Sequence, residues 1–300
     1  IAESGLSSSV GEETGRASVW AAKMLLSHVY LTTEQWDLAA QKADDVIQSG
    51  MYDLVTVSQP DDFYQIFGGE TSTEDIFSIH HSETRTANIQ TYLHRGSAHP
   101  YNFGTRGFFA WLPDTANTFI GSAWDNNDLR KSFNLYREYQ DSEGNWVSLP
   151  STVPVLFKKF ITTEDGLNIP TIPVYRYTEA FLFYAEASCR ADGAPSALAL
   201  ERLNMIKRRA YGYDPNVASP VDYAAGMTED EFADTVLQER AYEFMIERRR
   251  WWDLKRTGKV EEAFAAAGKG FISERLLWPI PEDEINNNEL ITQEDQNPGY

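Results

Sequence analysis

Three hundred residues are enough to bury a sizeable core and to fit one large domain or two modest ones. Hydrophobic residues make up 42% and aromatics 13% of the chain, which excludes the disordered class. Forty-five acids against 26 bases leave a net charge of −19, a field that repels phosphate backbones and anionic lipid and so argues against nucleic acid as a partner.

Cys189 is the only cysteine, which excludes an internal disulfide framework and a cysteine-cluster zinc site; in an apolar helical run it reads as a small buried residue. No run of about 20 apolar residues is present to span a bilayer. The chain opens on Ile1 with no basic segment leading into an apolar one, so an export signal is not expected in it.

Residues 1–15, rich in Ser, Gly and Glu, read as a loop. Residues 16–31 place Val19, Ala22, Leu26, Val29 and Tyr30 on one helical face. Thr32 and Gln35 have the spacing of a capping box, opening a second helix with Trp36, Ala39, Ala40, Ala43 and Ile47 inward. Gly50 then ends it in the left-handed conformation that glycine adopts cheaply. Two short helices with small residues at their contact read as a helical hairpin of tetratricopeptide type.

From 56 to 172 the periodicity fades while Gly, Asn, Asp, Ser and aromatics rise. Residues 75–79 read as a short strand and 153–157 as another, with Pro154 favouring an edge. A loop region of this length is functional or disordered, and its aromatic load argues against disorder. Sugar rings present apolar C–H faces ringed by hydroxyls, so a carbohydrate surface needs aromatic platforms flanked by polar side chains. Trp111, Trp124 and Tyr101 are the candidate platforms, with Asn102, Arg106, Asp125, Asn126 and Asn127 as hydrogen-bonding neighbours. Phe108 and Phe109 read as loop anchors, and Trp146, after the hairpin turn at 143–145, is a weaker platform.

Asp125 to Asp128 resembles part of a calcium loop but lacks the turn glycine and the distal glutamate, and a helix N-cap serves equally well. His80, His81, His94 and His99 cluster in sequence without an H-E-x-x-H pattern and read as polar surface, so no metal is expected. No phosphate loop, dinucleotide glycine motif or nucleophile elbow appears, so neither a cofactor nor a catalytic residue is expected.

Helical periodicity returns at 175–187, then at 197–211 with Leu200, Leu203 and Ile206 inward, forming another hairpin. Thr228 and Glu231 cap a long helix expected to run to Gly258, its buried stripe carried by Ala233, Val236, Leu237, Ala241, Phe244 and Met245 and continued by Trp251 and Trp252. Its polar side interleaves Glu239, Glu243, Glu247 and Asp253 with Arg240, Arg248, Arg249, Arg250 and Arg256. Three glutamates four residues apart suit acid–base chemistry, but arginines among them suit a bidentate ion-pair lattice, and the lattice reading is favoured.

That E-R-x-x-E-x-x-x-E-x-x-R-W-W-D-L-K-R-T-G run over 239–258 resembles the signature of the SusD/RagB family, surface glycan-binding lipoproteins of Bacteroidetes. The blocks at 15–31 and 49–54, D-x-R at 128–130, the Lys-Lys pair within 157–160, R-Y-x-E-x-x-L-x-Y-A-E-A at 176–187, L-N-x-I-K-x-R-A at 203–210 and the ending at 277–300 are similar to the family in the same order. The resemblance implies a mainly α SusD-like fold with tetratricopeptide-type hairpins and a long aromatic-rich insertion carrying a few short strands. It also implies that 1–300 is the C-terminal portion of one such domain: a hairpin at 1–55, a loop-rich ligand-binding region at 56–172, and a hairpin, long helix and C-terminal segment at 173–300.

The function so implied is non-catalytic capture of an oligosaccharide or polysaccharide and its delivery to a SusC-type TonB-dependent outer-membrane transporter. The resemblance implies that the hold on the membrane is a lipid anchor preceding the matching blocks, so the anchor is expected to lie outside this chain. A peptide ligand is the variant within the family. A helical glycoside hydrolase would need two carboxylates facing each other at roughly 5–10 Å, and nothing pairs Asp114, Asp128, Glu164 or Asp165. A tetratricopeptide adaptor would bind its partner in the concave face of the hairpins.

Overall fold

The computed structural model describes residues 2–9, 15–67, 72–80, 111–112, 124–141, 143–151, 154–157, 159 and 171–300, with 111 and 112 described by their backbone alone. It is mainly helical with seven short strands among the described residues, as the mainly α reading expects. Two compact units emerge, Ile1–Arg249 and Arg250–Tyr300.

In the first unit, α1 (Val19–Thr32) and α2 (Trp36–Ile47) pair as the expected hairpin. The face of α1 that packs inward is turned from the expected one: Ala21, Met24, Ser27 and Leu31 are buried, whereas Val29 is 46% exposed. Ser27 Oγ donates to the Ala39 carbonyl at 2.8 Å, and this bond satisfies a small polar residue at a helix contact that apolar spacing alone does not reveal. The Thr32–Gln35 capping box does not form. Thr32 Oγ1 donates back to the His28 carbonyl, Glu34 turns left-handed with φ of 58°, and α2 starts without a side-chain cap.

The centre of this unit is α4 (Tyr177–Asp192), preceded in the chain by the short α3 (Leu129–Asn134). Every α4 residue from Tyr177 to Cys189 except Tyr184 is buried, as befits a helix covered on all sides by α2, α5 (Ala197–Ala210) and α6 (Glu229–Glu243). It starts two residues later than expected, because Tyr175 and Arg176 end a strand, β7 (Ile172–Arg176), that pairs antiparallel with β1 (Asp75–Ile79).

A three-stranded sheet places β6 (Val155–Phe157) between β2 (Trp111–Leu112) and β3 (Leu135–Tyr136), so this strand is central and not at an edge. Pro154 lies just before the paired residues, where its missing N–H costs no ladder bond. The expected hairpin at 143–145 joins β4 (Glu138–Gln140) to β5 (Trp146–Ser148).

The Thr228–Glu231 capping box forms as expected, with Thr228 N donating to Glu231 Oε2 at 2.8 Å. The helix then stops at Glu243, and α7 (Arg250–Arg256) is a separate element. Two cations stand at the break. Lys159 Nζ donates to the carbonyls of Glu243 (3.0 Å) and Met245 (3.3 Å), and Arg176 Nη2 donates to that of Glu243 (3.0 Å). These bonds satisfy carbonyls that a helix end leaves without intrahelical partners, and the chain turns through Ile246 and Arg248 with φ of 57° and 64°. Left-handed backbone in non-glycine residues costs about 1–2 kcal/mol each, so the surrounding contacts must hold it.

Those contacts are a buried ion-pair lattice, which bears out the reading of Glu239, Glu243 and Glu247 as structural. Glu243 receives Arg176 at 2.7 Å, Arg209 at 2.5 Å and Arg130 at 3.0 Å. Glu247 receives Lys159 at 2.5 Å and Arg176 at 3.0 Å, Glu239 receives Arg130 at 2.5 Å, and Arg240 pairs with Glu179 at 3.1 Å. Glu74 pairs with Arg209 and Arg176.

The second unit contains α7, α8 (Val260–Ala266) and α9 (Glu282–Asn287), with helical turns at Ser273–Leu276 and Gln293–Asp295. Trp252 is 53% exposed and Trp251 half-buried, so they do not continue the buried stripe of α6. Gln296 holds both backbone groups of Ile280, and Tyr300 Oη donates to the Leu277 carbonyl at 3.0 Å.

Burial alone would raise the Glu243 carboxyl, but Arg209, Arg176 and Arg130 hold it well below its ordinary value of 4.5. Its stabilisation is therefore complete above about pH 4.5 and is lost as pH falls through the folded value. Glu243→Gln is expected to cost roughly 3–5 kcal/mol in urea denaturation at neutral pH, since three arginines lose their anion. The gap between the two proteins should narrow as the pH is lowered into the acid range; a pH-independent gap would contradict the lattice's electrostatic role.

Candidate functional site

One arm of the lattice reaches a surface turn. Asp128 caps α3, its Oδ1 accepting from Arg130 N at 3.0 Å, while its Oδ2 takes Arg130 Nη2 at 2.6 Å. The same Oδ2 accepts from Trp124 Nε1 at 2.9 Å, and the indole ring stacks on Tyr242 with centroids 4.7 Å apart and planes 17° from parallel. Trp124 is only 4% exposed. The expectation of an exposed platform at Trp124 is corrected by this: a buried carboxylate holds its N–H and protein covers its ring. Asp128 serves as the N-cap that was the alternative to a calcium loop. Among the described residues no three His, Cys, Asp or Glu side chains come together as a metal site.

Asp125, Asn126 and Asn127 project from this anchor into solvent. Asp125 Oδ1 accepts from Asn127 N (2.9 Å) and Nδ2 (3.0 Å), and its Oδ2 accepts from Tyr211 Oη (3.2 Å). The backbone bond from Asn127 is the main reason the Asp125 carboxyl lies below its ordinary value, so it is ionised at neutral pH. Burial, then Asp128 and Asp125, push the Tyr211 phenol up, so it remains a neutral donor. Lys131 Nζ ties the turn from the other side, donating to the Trp124 carbonyl (2.7 Å) and Asn126 Oδ1 (2.8 Å). A rigid exposed turn results, with the Asn126 amide nitrogen and the Asn127 amide oxygen outside its internal bonds.

The structure thus brings Trp124, Asp125, Asn126 and Asn127 together. Tyr101, Asn102 and Arg106 lie outside the described residues, as does the Trp111 side chain, although the Trp111 backbone pairs with Leu156 in the sheet. Trp146, the weaker candidate, stands 65% exposed on β5. Sequence reasoning missed Tyr211 by treating it as a helix end. The signal was the run Tyr211-Gly-Tyr-Asp-Pro-Asn216, in which two tyrosines flank a glycine beside polar turn residues.

The sequence profile of the SusD family matches residues 80–300. SusD-like protein P2 of Formosa agariphila is 25% identical over 93% of this chain and 59% of its own length. SusD-like protein P25 of the same organism is 23% identical over 96% of this chain and 60% of its own length, so the chain spans about three fifths of these relatives. Among solved structures, a SusD superfamily protein from Parabacteroides distasonis superposes with a TM-score of 0.77 at 24% identity, covering 100% of this chain and 66% of the other. Surface glycan-binding protein A from Bacteroides thetaiotaomicron, in complex with laminarihexaose, superposes with a TM-score of 0.70 at 21% identity, covering 94% of this chain and 64% of the other. These structural likenesses show the fold.

Clamped indole and exposed amides make opposite predictions for stability. Trp124→Ala should cost roughly 3–5 kcal/mol, as large-to-small changes of buried aromatics do. Asn126→Ala should stay within about 0.5 kcal/mol of wild type, as exposed substitutions do. Thermal denaturation of both variants checks this, and equal midpoints would show that Trp124 is not clamped.

Proposed function

Because the chain belongs to the SusD family, we propose that it captures an oligosaccharide or polysaccharide at the outer-membrane surface, leaves its bonds intact and passes it to a SusC-type TonB-dependent transporter. The observation that carries this reading is the exposed turn at 125–127, whose amides project from a base fixed by Trp124, Asp128 and Lys131. A sugar bound by such groups exchanges water hydrogen bonds for protein ones, and a turn already held in shape loses little entropy in doing so. The aromatic stretch 101–111, with Tyr101, Asn102, Arg106 and Trp111, would supply the stacking surface. Surface glycan-binding protein A of Bacteroides thetaiotaomicron, which holds laminarihexaose on a related fold, supports the ligand class.

A non-catalytic role is supported by the state of the carboxylates. Glu239, Glu243, Glu247 and Asp128 are buried and bound to arginine or lysine, so none is placed to donate a proton to a glycosidic oxygen. Among the described residues no helix is long and apolar enough to cross a membrane, which fits attachment through a lipid.

Affinity electrophoresis against a polysaccharide panel, with the same mixtures assayed for reducing ends, tests the proposal. Retardation by a glycan without new reducing ends is expected, weakened severalfold when Asn126 and Asn127 are both changed to Ala. New reducing ends would overturn the non-catalytic reading, and no retardation across neutral and acidic glycans would overturn the ligand class.

A further inference from the structure

Beside this turn, and separate from it, lies a recess of about 500 Å³ lined by residues of two short segments, 53–58 and 212–216, with Tyr177, Phe181 and Met205 at its base. Gly212 is where the segments meet. Its φ is +78°, and a Cβ there would lie 3.6 Å from the Ser58 carbonyl oxygen and 3.3 Å from Leu129 Cδ1. Glycine alone takes that backbone without strain in so close an approach.

Both walls are held by bonds that leave their outward groups unused. The first is tied to the lattice: Val55 N donates to Glu74 Oε1 at 3.0 Å, Asp53 N to the Thr73 carbonyl at 3.1 Å, and Ser58 N to Asp62 Oδ2 at 2.8 Å. The second hangs from Arg208, whose carbonyl accepts from Tyr213 N at 2.9 Å and whose guanidinium donates to the Pro215 carbonyl at 2.9 Å. Glu201 and Asp222 fix that guanidinium in turn. Asn216 N and Nδ2 both bond Asp214 Oδ1, which closes the turn. Among the described residues, the side chains of Asp53, Thr56, Ser58 and Tyr213 make no hydrogen bond, and Tyr213 is 43% exposed.

We infer that this recess is a second carbohydrate subsite, specific for a neutral sugar chain; the inference rests on the glycan-binding reading above. Its volume lies in the range of small-ligand sites, about 300–1,000 Å³. Tyr213 supplies an aromatic surface for a pyranose C–H face. Asp53, Asp214, Thr56 and Ser58 supply acceptors and donors for vicinal hydroxyls. Two carboxylates with no Lys, Arg or His in the lining make the site repel uronate and sulfate groups. Specificity is thus set by charge as well as by shape.

Calorimetric titration of the whole chain with laminarihexaose, cellohexaose, maltohexaose, xylohexaose, mannohexaose and galacturonate oligomers tests the inference. Wild type is compared with Tyr213→Ala, Tyr213→Phe, Asp53→Asn and the Asn126/Asn127 double alanine variant, each first shown by circular dichroism to melt like wild type. A neutral hexaose should bind wild type, lose at least tenfold in affinity with Tyr213→Ala, and recover most of it with Tyr213→Phe. If a glycan binds wild type but Tyr213→Ala and Asp53→Asn leave its affinity within twofold, the recess is not a subsite, while the glycan reading stands. Binding of galacturonate oligomers that depends on Tyr213 would overturn the neutral assignment. Absence of binding by every oligosaccharide would remove the glycan reading and the recess with it.

Discussion

The buried carboxylate of Glu243 gathers three guanidinium groups from stretches 34, 67 and 113 residues away in sequence: Arg209, Arg176 and Arg130. Removing these charges from water costs several kcal/mol per ion, and their mutual attraction returns that only when every donor and acceptor is matched. The matching is extensive but leaves Arg209 Nε buried without a hydrogen bond among the described residues. Arg176 alone spans Glu243, Glu247 and Glu74, and Arg130 spans Asp128, Glu239 and Glu243. A lattice of this kind adds little net stability over well-packed apolar residues, but it binds the segments that carry it to one another. Displacing any one of them leaves an uncompensated charge in the interior.

Much of the local geometry follows from that requirement. Lys159 is pulled down to about 8 chiefly by burial, against the opposing pull of Glu247, and it remains the cation that occupies the carbonyls of Glu243 and Met245. The carbonyls at the end of α6 are therefore held by side chains from 159 and 176. Asp128 has one oxygen shared between Arg130 and the indole of Trp124, so the 124–128 turn is an extension of the lattice to the surface. Glu74 performs the same service for the other candidate surface by accepting from Val55 N at the wall of the recess.

These dependencies explain what could and could not be read from the chain. Interleaved glutamates and arginines between 239 and 256 announce a lattice, because five arginines among carboxylates have few other uses. Its partners at 74, 130, 159, 176 and 209 are not announced, since pairing over such separations leaves no local spacing. The expected helix is too long because its apolar stripe runs on past Glu243, whereas the left-handed turn at Ile246 and Arg248 leaves no apolar signal. On α1 the apolar count outvoted Ser27, whose bond to Ala39 makes it a core residue. The polar neighbours of Trp124 suggest solvent, yet one of them, Asp128, is the buried partner of its N–H. Exposure of Tyr213 after a helix end has no sequence signature beyond the neighbouring Gly212.

The same electrostatics bear on the choice between binding and catalysis. A glycosidic acid must be reachable by substrate and must exchange a proton near the working pH. Glu243 and Glu247 meet neither condition: burial would raise them, but arginine and lysine hold them ionised, and their oxygens face guanidinium or ammonium groups. Burial does push Glu239 up despite Arg130, yet its donors are Arg130 and Tyr223, both part of the protein. The groups at the two candidate surfaces are of another kind: amides at 126 and 127, hydroxyls at 56 and 58, a phenol at 213 and the carboxylates at 53 and 214. Each stands on backbone fixed from within, and each can accept or donate a hydrogen bond without itself changing state. Charged pairs hold the interior in place, and the hydrogen-bonding groups of both candidate surfaces stand on the backbone so fixed.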